Sequence, residues 1–263
     1  MDFQEAKAAY PALVPSHEKA ATPYTHLLNR KRTWTPVPVT QGKLKAGGEE
    51  VVQRALSLRC LEIPVADFIT DATKRELPQG SQSGGCMELL QSNIVDENNH
   101  DEALNFAAAA HPVPQEFEDE AARIQKAWLE LDRHPILKAV VLERSIFFVL
   151  LPMFRYLGDT GLRTISQDIS RDETVHVCAN TLVCNALGLK SDSVINQMRR
   201  DVMDWVLQPL ETSSEDKHLS SNFWMKCSDN LYGRGKAEEL AETRSSRMPA
   251  FFETNNKDLP MYA

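Results

Sequence analysis

Glu97-Asn-Asn-His100 and Glu173-Thr-Val-His176 are the two stretches on which the reading of this chain turns. Each is a Glu-x-x-His, and a three-residue step along a helix sets carboxylate and imidazole side by side on one face. One such pair is common by chance. Two carry information here because both glutamates fall on the apolar stripe of their segment. Carboxylates are rarely buried, since losing water costs several kcal/mol unless a partner compensates. Glu62 and Glu143 occupy the same kind of position, and the helical neighbours of Glu143 are Ala139, Val140, Ile146, Phe147 and Leu150. For a single glutamate, snorkelling or pairing with an arginine is an adequate account. Four of them on four long helices call for a common partner.

Outward from these residues the chain reads as helix after helix. Val51, Ala55, Leu58, Glu62, Val65 and Ile69 recur at three- and four-residue steps, which predicts a helix from Glu49 to about Leu77. Pro64 should kink or break it. Residues 78–85 form a loop, and a second helix is expected over Cys86–Ala110, ended by His111-Pro112. A third is expected from Gln115 to Leu131, and a fourth from Pro135 to Leu157, where Gly158 follows. The fifth should run from about Gly161 to Leu187, the sixth from Ser191 to Leu207, and a shorter seventh from Leu219 to Tyr232. No strand-like alternation is present. Residues 1–48 hold Pro11, Pro15, Pro23, Pro36 and Pro38 and end in Ala46-Gly47-Gly48, so they are expected to be an irregular arm. Beyond about Arg244 periodicity is lost, and 244–263 reads as a mobile tail.

Composition narrows the function. The 263 residues are 42% hydrophobic and 25% charged, with a net charge of −8 that argues against a nucleic-acid binder or a polybasic membrane surface. The longest apolar run, 139–154, is interrupted by Glu143, Arg144 and Pro152, so no membrane span is expected. The opening Met-Asp-Phe-Gln-Glu has no signal-peptide character. Five cysteines without a Cys-x-x-Cys pair fit a reducing compartment, so a cytoplasmic location is expected.

Two Glu-x-x-His helices, each preceded by a helix with a lone buried glutamate, make the dimetal-carboxylate pattern of ferritin-like bundles. Hard metal ions take oxygen donors plus one imidazole each, and four carboxylates neutralise most of their charge. The expected fold is therefore all-α, a single ferritin-like domain with extra helices. Its metal ligands would be Glu62, Glu97, His100, Glu143, Glu173 and His176. Asp67 is an alternative to Glu62, on a more polar face with Cys60, Ile63, Thr70 and Lys74. The remaining histidines, His17, His26, His111, His134 and His218, lie in or beside expected loops and read as solvated surface residues.

With that order of ligands, the chain resembles the small, radical-generating subunit of class I ribonucleotide reductase. Ser170-Arg-Asp-Glu-Thr-Val-His176 is similar to that family's Arg-Asp-Glu-x-x-His signature, and Leu142-Glu143-Arg-Ser-Ile-Phe-Phe148 to its Leu-Glu-x-x-x-Phe segment. Phe251-Phe252-Glu253 is placed as in the family's C-terminal tail. The resemblance covers about residues 50–263. It implies a metal pair that stores an oxidising equivalent and passes it to a cysteine of a large catalytic subunit, where ribonucleotides are reduced. It implies Asp172 as the outer partner of a ligand histidine, Trp34 as a relay member with it, and Tyr262 as the tail tyrosine. It further implies a homodimer, docking of the large subunit through the tail, and activation in some members by a flavoprotein. The family usually has Asp where Glu62 stands. Its radical-bearing tyrosine sits four residues after the first histidine, which here is Leu104. Leucine cannot carry a phenoxyl radical, so the resemblance points to a metal-based oxidant, an Mn/Mn or Mn/Fe pair ahead of Fe/Fe. The missing tyrosine also leaves a stand-alone dimetal oxygenase or oxidase as the second reading, with small residues such as Ala103 and Ala107 lining a channel. Metal storage is the third.

Overall fold

The computed structural model describes residues 22–81 and 83–233. The expected tail at 244–263, with Tyr262, lies outside the described residues, as do His17 and the arm before residue 22. Among the described residues the protein is helical, with no strand and one isolated bridge between Glu211 and Ser220. None of these helices is long and apolar enough to cross a membrane.

The arm holds one helix that its prolines did not suggest, α1 (Pro23–Leu28). Thr22 and Thr25 cap each other's backbone reciprocally, and Pro23 stands at the first helical position, where its missing N–H costs nothing. The expected first helix is split into α2 (Glu49–Ser57), a 3-10 turn (Leu58–Leu61) and α3 (Glu62–Thr73). Pro64 explains the split. Its ring excludes a regular turn over Cys60, so the backbone tightens just upstream, and Pro64 falls within the first turn of α3.

The next three helices are α4 (Cys86–Ala110), α5 (Gln115–Glu130) and α6 (Pro135–Leu142), and α6 continues through a π turn (Glu143–Phe147) into α7 (Phe148–Leu157). Then come α8 (Thr160–Ala186), α9 (Ser193–Leu207) and α10 (Ser221–Gly233). Boundaries expected from the sequence differ by a residue or two, except that the first stretch ends at Thr73 and not at about Leu77.

Four of these segments close a ring: α3 packs on α4, α4 on α8, α8 on α6 and α7, and α6 back on α3. The α6–α7 run is buried on nearly every side, as its almost unbroken apolar sequence requires. Two helices cover its π turn, α9 and α10. There Ser228 donates to the Ser145 carbonyl at 2.6 Å. Helix α1 lies across α4 and α8, the two helices that carry the Glu-x-x-His pairs.

Candidate metal centre

All six expected ligands converge on the interior of the ring, and each is fully buried. Glu62 opens α3 and Glu143 opens the π turn; Glu97 and His100 come from α4, Glu173 and His176 from α8. Asp67, by contrast, is exposed on the far face of α3, so Glu62 is the residue that faces the centre.

The geometry divides into two halves. Nδ1 of His100 lies 3.4 Å from Glu97, 3.4 Å from Glu173 and 3.9 Å from Glu62. Nδ1 of His176 lies 2.7 Å from Glu97, 4.0 Å from Glu173 and 3.9 Å from Glu143. Glu97 and Glu173 thus stand between the imidazoles, while Glu62 belongs to the His100 half and Glu143 to the His176 half. Donor atoms of Glu97, His100, Glu173 and His176 all fall within 4.8 Å of one another, a group that could hold a metal ion.

The outer ring nitrogens are fixed crosswise. Nε2 of His100 sits 3.4 Å from Asp172, a residue of α8, and Nε2 of His176 sits 2.9 Å from Asp96, a residue of α4. A carboxylate at Nε2 keeps the proton there and leaves the Nδ1 lone pair facing the glutamates. Trp34 donates its indole N–H to the same Asp172 oxygen at 2.5 Å, and its ring stacks on His100 with centroids 6.2 Å apart. Lys31 pairs with Asp96, donates to Asn93 at 3.0 Å and lies 3.4 Å from Nε2 of His176. Asn180 donates to Glu143 at 2.7 Å.

The electrostatics fit a cation. Both oxygens of Glu62, Glu97 and Glu173, one of Glu143, and Nδ1 of both histidines make no hydrogen bond of acceptable geometry. Such a set of orphaned donors is far from the usual satisfaction of buried polar groups. Without an ion, protons take up the charge. Burial pushes the Glu62, Glu143 and Glu173 carboxyls up, and neighbouring glutamates push the same way. Burial also acts on Glu97, but the two imidazoles more than offset it and hold it below the usual carboxylate range. His100 is raised: burial opposes this, and Asp172, Glu173 and Glu97 outweigh it. Burial lowers Lys31 to about 8, against the pull of the surrounding carboxylates.

Asp96, Lys31, Asn93 and Asn180 were missed from sequence. Asp96 had a signal, because Asp-Glu-x-x-His occurs at both 96–100 and 172–176. Lys31 had none, lying in a segment without periodicity. Two of the histidines expected to be solvated are not. His111 is buried and meets Asp159 at 2.9 Å, where Asp159 also caps α8. His218 stacks on Tyr156 with ring centroids 3.7 Å apart. His111 sits at a helix end and His218 in a 3-10 turn, but residues from elsewhere in the sequence meet both.

Comparison of the chain with models of known protein families, with characterised proteins and with solved structures returns no match.

Proposed function

We propose that the chain is a ferritin-like dimetal-carboxylate protein and, within that class, the radical-generating small subunit of class I ribonucleotide reductase. The observation that carries the reading is the crosswise pair of Asp–His contacts around four buried glutamates, three of them without a hydrogen bond at either oxygen, with Trp34 joined to Asp172. In this reading Glu62, Glu97, His100, Glu143, Glu173 and His176 would hold two metal ions, with Glu62 on the His100 side, Glu143 on the His176 side, and Glu97 and Glu173 between them. When bound, the metal pair supplies the stored oxidising equivalent. Asp172 holds His100 in the tautomer that presents Nδ1, and it links that imidazole to the Trp34 indole by two contacts through one oxygen. This gives a short hydrogen-bonded path from the centre to the arm, as an electron relay needs. One turn beyond His100 stands the buried side chain of Leu104, so no phenol is available there and the oxidant is assigned to the metals. Docking of a large subunit through residues 244–263 and a homodimer belong to the same proposal.

The test is quantitation of manganese and iron on protein expressed with both and purified without chelator, followed by ribonucleotide reduction with a class I large subunit. Two ions per chain and turnover are expected. Absence of metal would sink the dimetal reading. Two ions with oxidation of small molecules but no reductase turnover and no co-elution with the large subunit would favour the stand-alone oxidase, the reading that Leu104 also allows.

A further inference from the structure

The two halves of the centre repeat each other in sequence and geometry, yet the arm closes them with different chemistry. Each half has an imidazole whose outer nitrogen faces an aspartate from the opposite helix. At Asp172 the next partner is the neutral Trp34 indole; at Asp96 it is the Lys31 ammonium, whose side chain is 10% exposed. Lys31 and Trp34 lie three residues apart on one stretch of arm. A carboxylate on an imidazole N–H raises the ligand's basicity. A cation on that carboxylate draws the charge back, whereas an indole N–H leaves most of it in place. The formal charge of the outer partners is then −1 behind His100 and zero behind His176.

We propose that Lys31 is a positioning residue that makes the two metal positions inequivalent, weakening the one at His176 and leaving the one at His100 as the tighter. This rests on the dimetal reading above. It also bears on a mixed-metal pair, since positions of unequal donor strength fill in order with ions of unequal affinity.

The experiment is a calorimetric titration of the metal-free full-length chain with Mn²⁺, comparing wild type, Lys31→Met and Asp96→Asn. Wild type should bind in two steps separated by about tenfold or more in dissociation constant, the scale on which outer partners act. Lys31→Met should tighten the weaker step and narrow the ratio. Asp96→Asn leaves the ammonium uncompensated and should weaken that step and widen the ratio. A pair that merely pins the arm would shift both variants the same way. That result, or an unchanged ratio, overturns the proposal while the dimetal reading stands. Fewer than two ions in wild type overturns both.

Discussion

Glu62 shows what a single residue reveals about the centre. Its carboxyl is fully buried, has no hydrogen-bond partner at either oxygen, and lies 3.9 Å from Nδ1 of His100. In the metal-free protein burial pushes this carboxyl up, so it has to take on a proton on folding, and that costs stability at any pH above the ordinary glutamate value. Glu62→Gln keeps the shape and removes the charge. The metal-free variant should therefore gain about 1 kcal/mol or more at pH 8 in urea unfolding, while its metal content falls below that of wild type. A loss of stability would show that Glu62 is held by something other than a missing cation. Glu62 was legible because it stands on the stripe of Leu58, Val65 and Ile69, whereas Asp67 does not. His111 was misread for the opposite reason. The residue before a proline signals a helix end, but the signal says nothing of Asp159, 48 residues away, which meets it in the interior.

At the scale of elements, the arm's docking depends on how α4 begins. Gly85 precedes the helix with φ of 83°, a left-handed conformation that other residues adopt only with strain. A Cβ there would also come within 2.7 Å of the Thr25 side chain of α1. Gly85→Ala should cost about 2 kcal/mol from backbone strain and this clash together. A lower thermal midpoint should accompany a shift in Trp34 fluorescence as α1 moves off α4; an unchanged midpoint would refute the contact. Long helices were readable from apolar periodicity and from the Pro and Gly residues at their ends. Pro64 announced the break in the first helix, though not that it would take the form of a 3-10 turn at Leu58–Leu61. The π turn at Glu143–Phe147 was not readable, because a one-residue change in winding barely alters an apolar pattern. The Thr22–Thr25 capping box gave no sequence signal, because its N3 residue is a threonine where the usual pattern has Glu or Gln.

For the whole molecule, the buried carboxyls couple folding to pH. Glu62, Glu143 and Glu173 are raised in the folded, metal-free chain above their unfolded values. A group raised on folding contributes stability below its unfolded pKa and loses it as pH rises through the folded one. Thermal stability of the metal-free protein should thus fall as pH climbs above the ordinary glutamate value of about 4.3. Glu97 and Asp172, both lowered, act only on the acid side of that range. Lys31, held at about 8, acts in the opposite sense above neutrality. Metal binding displaces the protons, so loading in weak buffer should release acid and flatten the pH dependence. Calorimetry in two buffers of different ionisation enthalpy measures the release; an equal heat in both would contradict it.

The sequence by itself determined the long helices and the six residues at their centre, because periodicity and the three-residue step are local, and a carboxylate on an apolar stripe betrays a buried partner wherever the helix goes. Only the tertiary structure decided the rest. Which glutamates stand between the imidazoles, how Asp96 and Asp172 cross to the opposite helix, and how Lys31 and Trp34 divide the two halves all depend on contacts between distant segments. The arm carries no repeating pattern: the resemblance pointed to Trp34, but only the contacts between distant segments revealed that Lys31 reaches the centre as well.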